Sequence, residues 1–209
     1  MTGSPTGLPR VLLATTNAHK VREFREILAE LPCTLVTPDD LAPAIVVAET
    51  GTSFEQNAVL KALAYAQGAG MPALADDSGL EVDALGGEPG VYSARWAGAA
   101  TPYSARFRLL AARLAGVPAD DWTARYRCVI ALAEPAPGGL YQVVAASLEG
   151  RLIAEPRGAG GFGYDPIFYV PSLARTVAEL SADEKHAISH RGQAARAARE
   201  PLLRLLAGR

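Results

Sequence analysis

The stretch ALADDSGLEVDALGG (Ala73–Gly87) constrains this chain more than any other. An apolar run ends in two adjacent aspartates, Asp76 and Asp77. Ser78 and Gly79 follow, and alternation resumes through Leu80, Val82 and Ala84. The pattern predicts a strand on either side of the pair, with Asp-Ser-Gly as turn chemistry between them. Two carboxylates at the end of a buried strand raise each other's pKa unless something compensates. Two readings are therefore open, a plain turn or a site where a divalent cation offsets the charge. Hard oxygen ligands suit Mg²⁺, with Mn²⁺ as an alternative. Glu49, in VVAETG, is a candidate second ligand, and taken alone it reads equally well as a solvated loop residue.

The surrounding chain alternates helix and strand. RVLLAT opens with a short strand, and NAHKVREFREILAEL carries Val21, Phe24, Ile27, Leu28 and Leu31 at helical spacing. CTLVT predicts a second strand, and PDDLAPAIVVAETG an extended loop. TSFEQNAVLKALAYAQGAG predicts a helix opened by a Thr52/Glu55 capping box and closed by Gly68 and Gly70. YSARFRLLAARLAG is a further helix, and ARYRCVIALAE with LYQVVAASLEG predicts a long hairpin. IFYV is a short strand, SADEKH repeats the capping-box pattern, and GQAARAAREPLLRLLAGR is a helix that Pro201 kinks or restarts. The expected class is α/β with a mixed sheet. Residues 1–9 read as a tail without the apolar core of a secretory signal, and 10–209 as one domain.

Composition closes off several functions. The net charge of −2 supplies no general attraction to nucleic acid or anionic lipid. No apolar run approaches bilayer-spanning length. Cys33 and Cys128 lie far apart in apolar contexts, forming neither a disulfide framework nor a metal motif, and read as buried free thiols. The expected compartment is the cytoplasm.

Three further stretches bear on chemistry. In TTNAHK, Asn17 suits a helix N-cap, but Lys20 puts a cation at the positive end of the helix dipole. A negative ligand would remove that conflict, and hydroxyls, free backbone N–H groups and a lysine together suit phosphate. The glycines of a Walker A loop are missing. In GAGGFGYDP the glycines clear space around Phe162 and Tyr164, giving either a turn packed on the core or a platform for a planar base. In EKHAISHRG, Lys185, His186, His190 and Arg191 crowd together. A solvated helical face is the plainer reading, and ligand contact through Arg191 and His190 the alternative.

Taken in order, ATTNAHKVREFREIL, ETGTSFEQNAVLKA, ADDSGLEVDALGGEPGVYSARWAG, GGFGYDPIF and AELSADEKHAISHRGQA resemble the family of inosine-triphosphate and xanthosine-triphosphate pyrophosphatases, over nearly the whole chain from Arg10. The resemblance implies hydrolysis of non-canonical purine nucleoside triphosphates (ITP, dITP, XTP) to monophosphate and pyrophosphate. It also implies Mg²⁺ dependence, a homodimer, and two lobes around a long mixed sheet with the active site between them. Thr15, Asn17 and Lys20 match the family's phosphate motif, within the substrate-binding run Thr15, Thr16, Asn17, Ala18, His19, Lys20. Asp77 is the implied catalytic and metal-binding residue, supported by Asp76, with Glu49 the second metal ligand and Ser78 on the substrate. Phe162, Gly163, Tyr164 and Asp165 match the base-stacking run, and Lys185, His190 and Arg191 the base-reading residues. Thr16, His19 and Trp96 depart from residues common in the family.

Two other functions fit the residues less well. A Maf-like pyrophosphatase of pyrimidine or methylated nucleotides does not account for the Phe162 loop or SHRG. A nucleotide-binding regulator without hydrolysis has no use for the Glu49–Asp77 pair. A glycosidase is disfavoured because adjacent strand residues point to opposite faces.

Overall fold

The strand β1 (Arg10–Leu13) lies one strand in from the edge of a sheet that the rest of the chain extends on both sides. The computed structural model describes residues 7–42 and 45–208. Residues 1–6 of the expected tail, Pro43 and Ala44 of the expected extended loop, and Arg209 lie outside them. Among the described residues seven strands form one mixed sheet and five α-helices pack against it. The strand order is β2 (Thr34–Val36), β1, β3 (Ala73–Val82), β4 (Thr123–Ala133), β5 (Leu140–Leu152), β6 (Phe168–Val170), β7 (Arg175–Thr176). β1 runs parallel to both β2 and β3, and every later pairing is antiparallel.

Strand alternation divides the core into two layers. Val11 and Leu13 pack with Phe24 and Leu28 from the α1 (Ala18–Ile27) segment and with Ala194, Ala198 and Leu202 of α5 (His190–Ala207). Leu12 and Ala14 pack on the opposite face with Phe54, Ala58 and Ala62 of α2 (Phe54–Ala69). β3 follows the same rule, with Leu74 on the α1/α5 side and Ala73 and Ala75 on the α2 side. A third cluster joins Leu80 and Val82 to Leu110 of α3 (Tyr103–Arg113) and to Phe168. Each fully buried leucine contributes roughly 1.5–3 kcal/mol.

The acidic pair does not end a strand. β3 runs unbroken through Asp76, Asp77, Ser78 and Gly79, each paired with β4 from Ile130 to Arg127. The expected turn is overridden because the ladder occupies the backbone groups a turn would use, and Ser93 Oγ accepts the Leu80 N–H at 2.9 Å. Gly79 is needed for this path: a Cβ there would meet Ser93 Oγ at 2.5 Å and the Gly90 carbonyl at 2.6 Å. What does end nearby is β1, which pairs with β3 only as far as Leu74. Beyond Leu74 that edge of β3 is open, and the carboxylates stand at the opening.

Four further expectations need correction. The cap of α2 is Ser53, not Thr52: Ser53 Oγ accepts the Gln56 N–H, while Thr52 donates to Gln56 Oε1. α5 starts at His190 and continues through Pro201, whose missing N–H deprives only the Ala197 carbonyl of its usual donor. Lys185, His190 and Arg191 form no solvated face; all three are buried, held by partners distant in sequence. Cys128 is buried, its thiol pushed up to about 12 by burial, whereas Cys33 is only half-buried.

The second capping box is present. Ser181 opens α4 (Ala182–Ile188), exchanging hydrogen bonds with Glu184. Arg175 and the Ser181 N–H hold the Glu184 carboxyl down at about 2, against an ordinary 4.5. A depressed carboxyl stabilises the fold fully above its unfolded value and loses that contribution as pH falls toward the folded one. Glu184→Gln should therefore lower Tm at neutral pH, with the gap to wild type narrowing between about pH 5 and about pH 2.5 in a melting series.

Candidate active site

A cleft of about 280 Å³ opens where β1 stops. Thr15, Thr16, Asn17 and Lys20 line it from the β1–α1 junction, Asp77 and Ser78 from β3, and Glu49 from the loop before α2. Phe162, Gly163, Tyr164 and Asp165 enter from the glycine-rich loop, and His190 and Arg191 from the start of α5. Ala18 and His19 do not line the cleft. Ala18 is exposed at the start of α1, and His19 turns its ring onto Phe162 instead, with centroids 4.9 Å apart and planes 8° apart. Lys185 also lies outside the lining, with its Nζ 4.8 Å from the Phe162 ring centre.

Strand parity sends the two aspartates to different partners. Asp76 faces the α1/α5 layer, where it meets Lys20 Nζ at 2.8 Å and Arg191 at 3.7 Å and accepts from Ser78 Oγ at 3.0 Å. Burial opposes its charge, yet Lys20 and Arg191 hold the carboxyl well below the usual range. Lys20 thus meets an acid within the protein itself, which resolves the conflict with the helix dipole before any ligand arrives. Asn17 caps α1 by accepting the N–H groups of His19 and Lys20.

Asp77 faces the α2 layer. Asn57 Nδ2 and Lys61 Nζ each donate to it at 3.2 Å. Burial raises its pKa despite the charge of Lys61. Lys61 also donates to Glu49 Oε1 at 2.7 Å, and Arg95 pairs with the other oxygen at 3.3 Å. Burial works against the Glu49 charge, but the hydrogen bond and charge of Lys61 outweigh it and depress the pKa. Glu49 and Asp77 therefore converge on one cationic centre.

The base-facing side is held by acids as well. Glu23, buried on α1, bridges Lys185 at 2.8 Å and Arg191 at 2.7 Å. Asp165 accepts from the Phe162 N–H, Tyr126 Oη and Lys185 Nζ, fixing the loop from within. Gly161, at φ 68°, is required there, since a Cβ would collide with the Asp165 carboxylate. Tyr164 donates to the Ser93 carbonyl. His190 stacks on Tyr126 at 4.6 Å, and burial followed by the Arg191 and Lys185 charges keeps the imidazole neutral. Arg191 Nε is buried and has no partner among the described residues.

Asn57, Lys61, Glu23, Arg95 and Tyr126 belong to this network, and none was singled out from sequence. Asn57 and Lys61 did leave a signal. They are polar residues one helical turn apart on a face otherwise made of Phe54, Ala58, Ala62 and Tyr65.

Around the cleft Lys20, Lys61, Arg95, Lys185 and Arg191 are matched one for one by Glu23, Glu49, Asp76, Asp77 and Asp165. Such a balanced set has little net positive charge to offer a polyanion. Among the described residues no group of three or more His, Cys, Asp or Glu side chains could hold a metal ion by itself.

Comparison with known proteins gives one consistent family. The Ham1 family profile matches residues 11–201. A dITP/XTP pyrophosphatase of Desulforamulus reducens is 49% identical over 196 residues, covering 94% of this chain and 96% of its own. One from Symbiobacterium thermophilum is 52% identical over 185 residues, covering 88% and 90%. Among solved structures, a HAM1 protein from Coxiella burnetii superposes with a TM-score of 0.83 at 41% identity, covering 94% of this chain and all of its own.

Proposed function

The chain belongs to the Ham1 family, and from that premise we propose how its cleft works. It is a dITP/XTP pyrophosphatase, a hydrolase that converts these triphosphates, and ITP, to the nucleoside monophosphate and pyrophosphate. Its role is to clear non-canonical purines from the nucleotide pool before they enter DNA or RNA. One observation carries the mechanistic reading: Glu49 and Asp77 converge on a single cation at the floor of the cleft.

Two carboxylates meeting at one point, with no His or Cys among them, are a donor set that fits Mg²⁺, with Mn²⁺ as a substitute. Too few protein ligands are present to bind an ion alone, so water and substrate phosphate oxygens would complete the shell, as is usual for Mg²⁺. Glu49 and Asp77 would hold the ion, and when bound it supplies the positive charge that the balanced network lacks.

Asp77 orients the water that attacks the α-phosphorus and takes its proton. The bond from the α-phosphorus to the bridging oxygen breaks, and pyrophosphate leaves with the electron pair. Lys20, Thr15 and the N-terminus of α1 stabilise the developing charge, and Ser78 contacts the substrate. Phe162 stacks on the base within the Gly163–Tyr164–Asp165 frame, with Lys185 and His190 beside it. Arg191 has only donors, so it favours a 6-oxo purine over the 6-amino group of adenine. Rejection of GTP must use its 2-amino group. A two-lobed domain over 10–209, a homodimer and a cytoplasmic setting belong to the same reading. It is supported by family membership and by the absence, among the described residues, of a helix able to cross a membrane.

The test is pyrophosphate release from ITP, XTP, GTP, ATP, dTTP and UTP, with Mg²⁺ and with EDTA. Release from ITP and XTP should exceed that from ATP by about 10- to 100-fold, on the scale of a buried, charge-assisted hydrogen bond, and EDTA should abolish it. Release mainly from the pyrimidine nucleotides would replace this reading with the Maf-like one. ITP bound without release would make the protein a regulator.

A further inference from the structure

Three groups press on the Phe162 ring. Lys185 Nζ lies 4.8 Å and the Arg191 guanidinium 5.5 Å from its centre, and the His19 imidazole stacks nearly parallel at 4.9 Å. The two cations are buried and pinned, Lys185 by Glu23 and Asp165, and Arg191 by Glu23 and Ser78. His19 sits exposed on the first turn of α1. The face of Phe162 on which His19 lies is open to a base only once the imidazole leaves, and His19, exposed on α1, is free to leave where the two pinned cations are not.

We propose that His19 is an internal stand-in for the nucleobase, covering the stacking face of Phe162 until substrate displaces it. This rests on Phe162 being the base platform, as in the reading above. An imidazole is planar and about the size of one ring of a purine, so it shields the platform from water as a base would. A base must first end this contact, so its apparent affinity falls by the fraction of molecules in which Phe162 is uncovered. The penalty is the same for every base. It therefore lowers affinity without changing the preference for ITP over ATP, unlike a change at Arg191. It also spares ligands that carry phosphates and no base.

The substitution His19→Ala removes the ring and keeps the backbone N–H that Asn17 accepts, so the helix cap survives. His19→Phe retains a ring that can stack. Equilibrium binding of IMP, which has a base and no anhydride to cleave, should be about threefold to tenfold tighter in His19→Ala than in wild type. His19→Phe should restore the wild-type value. Binding of tripolyphosphate with Mg²⁺ should be the same in all three proteins, and the ITP-to-ATP ratio of kcat/KM should not move. Weaker IMP binding in His19→Ala would make His19 a second wall of the base site and overturn the proposal. So would unchanged IMP binding, IMP bound by none of the three, or weaker tripolyphosphate binding, the last making His19 a phosphate contact. Hydrolysis of ITP by the wild type is measured alongside; its absence would remove the hydrolytic reading while IMP affinity still reports on His19.

Discussion

Asp77→Asn should lower kcat for ITP by about 10³-fold, within the range a positioned general base contributes, while ITP still binds. The substitution is nearly isosteric. Asn57 and Lys61 donate to different oxygens of Asp77, so the amide keeps an acceptor for one of them, and Lys61 remains paired with Glu49. What disappears is the proton acceptor and half of the carboxylate pair that faces the metal position. The loss should therefore fall on kcat more than on KM, because an interaction made only in the transition state has been removed. Steady-state pyrophosphate release, read beside a thermal melt, checks this. Near wild-type turnover in a folded Asp77→Asn protein would move water activation to another residue.

The second large effect is expected at Arg191. Truncation to alanine would leave Glu23 with Lys185 as its one cation and Asp76 with Lys20, and would empty a buried site, so a fall in stability would confuse specificity with folding. Arg191→Lys avoids this by keeping a cation beside both acids, but it gives up the guanidinium fork and the unpaired Nε. If that Nε donates to the 6-oxo group, the ITP-to-ATP ratio of kcat/KM should fall about 10- to 100-fold, the worth of one hydrogen bond to a charged group. Competition kinetics with both nucleotides present measures the ratio directly. A ratio unchanged in the lysine variant would place base reading on Lys185 or His190.

Much of the sheet and its helices could be read from local pattern, because hydrophobic periodicity is itself local. The long hairpin, the α1 register around Phe24 and the Ser181 capping box follow from spacing alone. The cleft-lining residues that stand out in the sequence, such as Lys20, Asp77 and Phe162, lie in short runs whose residue types conflict with their surroundings. The unreadable parts depend on partners distant in the chain. EKHAISHRG resembles a solvated face until Glu23, on α1, comes between Lys185 and Arg191. Asp-Asp-Ser-Gly has turn propensity until β4 pairs with it and Ser93 reaches Leu80. Lys61 is one lysine in an alanine-rich helix until Glu49 and Asp77 approach it from two other segments.

One peptide bond separates Asp76 from Asp77, and in the proposed mechanism that bond joins the two halves of the reaction. Through Asp76 the strand touches Lys20 and Arg191, to which the proposal gives the phosphates and the base; through Asp77 it touches Asn57, Lys61 and, by way of Lys61, Glu49, the side to which it gives cleavage of the anhydride. β3 therefore serves both operations as a common datum. If either helical layer shifts, its displacement is measured against the same backbone that fixes the other, so the distance from base to scissile bond is gauged by the rigidity of a single strand. A one-residue insertion between Leu74 and Asp76 would exchange the two acids between layers and undo that calibration in one step.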